Sequence, residues 1–356
     1  MSKKFILAYL FITIILSSNS YSENSRYFEF DKGIITLMYH RFDEPKYPST
    51  NIQMDIFKKQ IEIIESLGSI FIDPKNLNNE LNKVHKTRSI LLTIDDGYSS
   101  FYKNAWPYLK NKKIPFILFI STREIGKYGY MNWDQIKEIQ NSNIGVIGNH
   151  SHSHDYLVDL DSEKINQDIE QSIKIFKNKL GFNPTYFSYP FGEYSLNFIE
   201  IIKKNFDLAF GQHSGVIDLS KNKFQLPRFP INEKYGDLER FKFVINLLPF
   251  YYKSILPKER YLTDEKNPGN LFVEFFPEQK NIKRMTCYSN QGNKWQLLSF
   301  DNNLITKVGP EIYHIRLALL LEKFTTERGR VNCSLNDTEG WRWFGIQFVI
   351  SNNLIF

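Results

Sequence analysis

The stretch "IGNHSHSHDYL" puts His150, His152 and His154 on alternating positions, three of the chain's seven histidines. Imidazoles grouped in this way suit a metal ion. Spacing leaves the ligand set open. On an extended strand all three side chains face one way, whereas on a helical turn only His150 and His154 share a face. A second stretch, "TIDDG", sets Asp95 beside Asp96. Adjacent carboxylates resist joint ionisation unless a positive group lies between them or one keeps its proton. A divalent cation resolves the conflict, with one aspartate binding it while the neighbour takes a proton from the attacking water. Asp-Asp-Gly is also a common turn at the end of a strand, so this motif decides nothing alone. Two histidines and one aspartate together make an open three-ligand set for zinc, with a position left for water or substrate.

Elements are needed to bring these residues together. "GIITLMYH", "SILLTIDDG", "PFILFI", "IGVIGNH", "TYFSYPFG" and "DLAFGQHSG" read as buried strands, continuous and rich in Ile, Leu and Phe. Helical patterns lie between them. Apolar residues recur at Ile56, Phe57, Ile61, Ile64 and Leu67, and again at Ile165, Ile169, Ile173 and Phe176 before a helix stop at Gly181. The alternation implies an α/β fold with a parallel sheet, as a barrel or a doubly wound layer. His40, Asp95, Asp96, His150, His154 and His213 all fall at or just past carboxyl ends of these strands. In a parallel α/β barrel that edge builds the active site.

The remainder of the chain has another character. From about Asn270 strand follows strand, in "LFVEFF", "KWQLLSF", "IYHIRLALLLE", "RVNCS" and "RWFGIQFVI", which predicts a small all-β, sandwich-like module over 270–356. Residues 249–269, with prolines and charges, read as a linker after a barrel at 30–248. Trp295, Trp341 and Trp343 with Arg328, Arg330 and Arg342 suit sugar stacking, although core packing uses the same tryptophans. Cys287 and Cys333 are expected to pair in an exported chain. Export follows from the first 22 residues. Lys3 and Lys4 precede an apolar run from Phe5 to Leu16, and Ser20-Tyr21-Ser22 forms a small-x-small cleavage site. That run is too short to span a bilayer, and no other stretch does, so no stable membrane span is expected after cleavage. The 356 residues carry a net charge of +6 from scattered lysines. This reads as solubility and mild attraction to anionic polymers, not as a nucleic-acid footprint. His85 reads as a surface residue and His314 as a strand residue away from the site.

The motifs resemble those of the NodB-like polysaccharide deacetylases. The family's Thr-Phe-Asp-Asp-Gly matches "TIDDG", its His-Ser/Thr-x-x-His matches "HSHSH" at 150–154, and its Arg-x-Pro-Tyr/Phe-Gly matches "SYPFG" at 188–192 in part. "LMYHRF" and "LPRFP" look like the exported branch acting on poly-N-acetylglucosamine-like polymers, and the match runs from about Gly33 to Phe241. The resemblance implies a distorted (β/α) barrel in which Asp96, His150 and His154 hold a divalent metal, zinc with cobalt or nickel as alternatives. His152 would then not be a ligand. Asp95 would be the general base, and the Phe191 backbone N–H would stabilise the oxyanion. Pro190, Phe191 and His40 would line the substrate pocket. Two departures stand out. Ser188 occupies the place of the family's arginine, and Arg228 in "LPRFP" could supply the missing charge. The family's Leu-x-x-His acid is not recognisable, and His213 is the substitute. The implied activity is an exported, periplasmic or envelope hydrolase that removes N-acetyl groups from hexosamines of a polysaccharide or glycolipid glycan. An O-acetyl esterase and an inactive secreted carbohydrate-binding protein are the alternatives.

Overall fold

The computed structural model describes residues 31–350, except 264–266, 268–269, 277–278, 280, 293 and 309–313, and the side chains of 300–317 are not described. The expected signal peptide lies outside the described residues. No described helix is long and apolar enough to cross a membrane.

Five apolar runs form the parallel centre of one sheet: Ile34–Tyr39, Ser89–Ile94, Phe116–Ile120, Gly145–Asn149 and Tyr186–Ser188, with Leu208–Phe210 following. Every residue of the first three is buried, as expected for strands covered on both faces. Register aligns their carboxyl ends, with Tyr39 opposite Ile94 and Ile120 opposite Asn149. The sheet curls until a short segment joins its two ends. Leu226 bridges Phe210, while Phe229–Pro230 pairs in parallel with Leu37 and Met38. Arg228 therefore lies on the seam. Helices pack outside, and the helix expected from Ile165, Ile169, Ile173 and Phe176 is observed as Ser162–Leu180. Asp161 caps its first turn by accepting from the Lys164 amide, and Gly181, at φ 84°, turns the chain out of it.

The module is a sandwich. One sheet runs Leu248–Pro249, Trp341–Ile350, Arg328–Asn336, Thr286–Gln291 and Lys294–Leu297, and the other runs Tyr252–Leu256, Asn270–Phe275, His314–Leu320 and Phe300–Val308. Strict alternation of buried residues along Asn270–Phe275 and Arg328–Asn336 fills the core between them. Cys287 and Cys333 face each other in register and form the expected disulfide.

Two expectations are corrected here. Residues 249–269 are not a plain linker. Tyr252–Leu256 pairs with Asn270–Phe275 and Tyr261–Leu262 with Val349–Ile350, so this segment belongs to the sandwich. Its prolines and charges mark edges and turns, which composition alone does not separate from a linker. His85 is buried, its ring nitrogens meeting Ser89 Oγ at 2.9 Å and the Glu80 carbonyl at 3.0 Å.

The module packs directly on the barrel. Gly215 bridges Phe344, and Trp343 Nε1 donates to Ser214 Oγ at 2.8 Å. Gly345 permits this closeness, because a Cβ there would lie 2.7 Å from the Ser214 carbonyl oxygen.

Candidate active site

Asp95 and Asp96 leave the same strand and enter different environments. Asp95 is fully buried against Arg228, which donates from Nη1 to Oδ1 at 2.7 Å and from Nη2 to Oδ2 at 2.8 Å. The guanidinium is itself fixed by the Gly211 carbonyl and by Ser188 Oγ at 2.8 Å. Arg228 thus brings a charge to Asp95 from the barrel seam, across the serine at 188. Burial pushes the Asp95 carboxyl up, but Arg228, with His150 and His40, outweighs it and holds the group below its ordinary value. Asp95 is ionised at neutral pH.

Asp96 instead turns toward the histidines. Its φ of 74° is left-handed, and Gly97 follows at 76°. A side chain at 97 would also press on Ile120 and Ile125, each 3.1 Å from its Cβ. These two turns swing the second carboxylate away from the first. Asp96 Oδ1 lies 3.4 Å from His150 Nε2 and 3.3 Å from His154 Nε2. Burial raises the Asp96 pKa, yet the adjacent imidazoles, with His40, hold it well below the usual carboxylate range. In His154, Asp96 and Asp95 overcome burial and raise the imidazole pKa.

The loop after Gly145–Asn149 aims the imidazoles. Ser151 at φ 71° and His154 at φ 57° are left-handed, and such conformations cost of order 1–3 kcal/mol each unless surrounding contacts impose them. Here they are imposed. The His152 and Ser153 amides donate to the two oxygens of Asp168, and the His154 amide donates to Ser151 Oγ. His150 Nδ1 donates to the Ser188 carbonyl at 2.6 Å, which turns Nε2 toward Asp96. His152 turns away to Thr122 Oγ1 at 2.8 Å.

Asp96, His150 and His154 fit a cation. Their ligand atoms lie within 4.8 Å of one another, and Asp96 Oδ1 and His150 Nε2 are buried with no hydrogen-bond partner. Two atoms about 2.1 Å from a tetrahedral zinc lie about 3.4 Å apart, which matches the observed nitrogen–oxygen separations. Oxygen and imidazole donors also suit cobalt and nickel.

Phe191 stands beside the triad at φ 58°, its ring 4.8 Å from that of His154 and stacked at 4.2 Å on Tyr156. The module holds its far side. Gln347 Nε2 donates to the Phe191 carbonyl at 3.1 Å, and Arg328 lies 5.4 Å from its ring centre. Together barrel and module enclose a cavity of about 850 Å³ that Asp96, His154, His40, Phe191 and His213 line from the barrel. Pro190 is buried as the first residue of a 3-10 turn and is not among the residues that line it. His213 is buried among Arg260, Arg228 and Lys221, and burial with these cations lowers its pKa to about 3. At neutral pH it is an uncharged imidazole, a hydrogen-bond donor rather than an imidazolium.

Residues 82–206 match the family model for polysaccharide deacetylase. Over that segment the chain is similar to this deacetylase family. It is 23% identical over 270 residues to the poly-beta-1,6-N-acetyl-D-glucosamine N-deacetylase of Staphylococcus aureus (strain MSSA476), covering 65% of this chain and 93% of that one. IcaB from Ammonifex degensii superposes with a TM-score of 0.55 at 26% identity, covering 60% of this chain and 97% of IcaB. Streptococcus pyogenes deacetylase PplD, solved in complex with acetate, shares the fold with a TM-score of 0.55 at 21% identity, over 60% of this chain and 98% of PplD. The rest of this chain has no counterpart in those two structures.

Sequence reasoning missed the supports of this site. Asp168 sits mid-helix like any solvated acid, and Gln347 sits in a strand like any sandwich residue. Tyr98, one residue past TIDDG, was also missed. It lines the cavity, stacks on Tyr130 at 4.9 Å and lies 3.4 Å from the Arg41 guanidinium.

Proposed function

We propose that this chain is an exported, divalent-metal-dependent hydrolase that removes N-acetyl groups from hexosamine units of a polysaccharide or glycolipid glycan. One observation carries the reading: adjacent aspartates with opposite partners, Asp96 facing two imidazoles and Asp95 locked to Arg228. The Staphylococcus aureus relative's name supports a poly-N-acetylglucosamine-like substrate. The apolar amino-terminal run supports export.

Asp96, His150 and His154 would hold the cation, which supplies Lewis acidity toward the acetamide carbonyl. Asp95 accepts the proton of the attacking water. Arg228 keeps Asp95 ionised and fixed in direction, so the base is in its competent state throughout the neutral range. As the carbonyl carbon becomes tetrahedral, its oxygen gains charge, and the Phe191 backbone N–H is the donor suited to it. His213, neutral at rest, lines the pocket as a hydrogen-bond donor toward the departing nitrogen, and the proton that nitrogen takes is the one Asp95 has accepted from the water. His40, whose pKa burial lowers, lines the same pocket as an uncharged imidazole.

The test measures acetate and free amine released from N-acetylglucosamine oligomers with zinc, cobalt or nickel, for wild type and Asp95→Asn. Acetate and amine are expected in equal amounts, and the variant should lose about 10²–10⁴-fold in rate while keeping its metal. Acetate without new amine would favour an esterase. Metal binding with no release from N- or O-acetylated glycans would leave a carbohydrate-binding protein.

A further inference from the structure

Away from the triad the cavity wall is cationic. Lys234, Arg240, Arg328 and Arg330 line it, and the only carboxylate among the described lining residues is Asp96. Arg328 is already engaged by Glu193. Two guanidiniums remain, one from each part of the protein. Arg330, on Arg328–Asn336 of the module, donates from Nε to Gln347 Oε1 at 3.2 Å. Arg240, on the barrel helix Leu238–Ile245, donates to the Tyr235 carbonyl and lies 4.9 Å from the Tyr235 ring centre.

Neither arginine forms an ion pair among the described residues. The acids nearest in effect have other duties, since Asp237 caps the amide of Arg240 and Glu193 is bonded to Arg328. Both guanidiniums are half-buried, and burial lowers the pKa of each, with Arg328 adding to the effect on Arg330. A partly buried charge without a counter-charge is costly, and a ligand that brings one recovers that cost on binding.

We propose that Arg240 and Arg330 form a subsite for an anionic group of the glycan, a hexuronate carboxylate or a phosphate ester, while an N-acetylhexosamine sits at the triad. The assignment of the second sugar rests on the deacetylase reading, but the anion subsite does not. Guanidiniums bind carboxylate and phosphate oxygens in bidentate fashion, so two of them lining one cavity, one from each part of the protein, also help set the register of the chain in the cleft. Exposed Tyr288 and Trp295 on the same wall offer aromatic faces to the intervening sugars. Each deacetylation creates an ammonium. On a neutral polymer those ammoniums would be repelled by this wall, whereas on an anionic glycan each lies beside its own counter-charge. The net charge of +6 acts in the same direction by steering anionic polymers toward the protein.

The experiment compares three oligosaccharides of equal length with the metal-loaded full chain. One is neutral N-acetylglucosamine, one alternates N-acetylglucosamine with a hexuronate, and one carries phosphodiesters. At low salt kcat/KM should favour an anionic oligomer by about tenfold or more. The ratio should fall toward one at high salt and in Arg240→Gln and Arg330→Gln, and persist in Arg330→Lys. Which anionic oligomer leads assigns the group as carboxylate or phosphate. A wild-type ratio at or below one, or a ratio unchanged in both Gln variants, overturns the subsite. Because the two arginines sit on separate folding elements, a common loss does not come from one misfolded strand. Calorimetric binding of the same oligomers to Asp95→Asn protein separates the two readings. No turnover of any oligomer, together with an anion preference in binding, would sink the deacetylase and keep the subsite. Equal binding of neutral and anionic oligomers would sink the subsite itself.

Discussion

The barrel edge and the module face meet across one cavity and are built on opposite terms. At the barrel edge Asp96, Ser151, His154 and Phe191 all have positive φ, and each sits in a short loop after a strand. The module wall is extended backbone, with Arg328, Arg330 and Asn332 projecting at every second position of one strand. The contrast follows from what each side must do. Ligands to one ion, and a base beside it, tolerate little displacement, so their backbone is held in costly conformations by dedicated contacts. Holding a long polymer needs only side chains repeated along a face, and a strand supplies that repeat without strain.

The largest effect should come from breaking the barrel edge at its seam. Arg228→Met leaves Asp95 buried with its charge uncompensated, which costs about 3–5 kcal/mol of stability and should abolish turnover. Denaturant unfolding and acetate release check both. A variant as stable as wild type would show that the pair does not hold the barrel closed. Next come the histidines. His150→Ala or His154→Ala should abolish metal binding at equimolar zinc, while His152→Ala, which loses only its bond to Thr122, should keep a full equivalent. Metal analysis after dialysis reads the difference, and loss of metal in the His152 variant would refute the assigned ligand set.

The same contrast explains what could be read in the sequence. TIDDG and HSHSH were legible because sharp loop geometry confines ligands to short, contiguous motifs. The strands were legible because a doubly covered parallel sheet needs unbroken apolar runs. Arg228 was visible only as one of two readings, since its partner lies 133 positions earlier and pairing depends on how the sheet closes. The module's part in the site was legible only as a group of tryptophans and arginines suited to sugars, of which Trp295, Trp343, Arg328 and Arg330 line the cavity. Arg328 lies in an alternating strand whose pattern tells inside from outside, yet says nothing about which face meets the barrel, and Gln347 is a buried polar residue in a strand covered along most of its length. The supposed linker failed for a related reason, because edge strands rich in proline and charge share their composition with true linkers.

Where the module reaches the chemistry, the contrast can be sharpened. Gln347→Ala removes the donor to the Phe191 carbonyl and leaves that residue's left-handed turn held by its ring contacts with Tyr156, His154 and Arg328 and by the turn's own backbone bonds. The rate kcat should fall by about tenfold, with KM and metal content little changed. A rise in KM alone would place Gln347 with the polymer-holding wall instead.

The smallest effect concerns His213, which sits where the two parts press together. Burial, then Arg260, Arg228 and Lys221, lower its pKa from the ordinary 6.5 to about 3. Between those values the unfolded chain binds a proton that the folded protein refuses. Stability linked to this group is therefore complete above pH 6.5 and declines as the pH falls toward 3. His213→Gln removes the titration, so between pH 7 and pH 4 the variant should lose about 3 kcal/mol less stability than wild type. Urea unfolding at the two values measures this. Arg260→Gln offers the finer cut, because removing one cation from the module side should raise the His213 pKa and shrink the loss. If Arg260→Gln leaves the acid sensitivity as it was, burial within the barrel alone sets the state of this histidine, and the module contributes a wall to the site but no field.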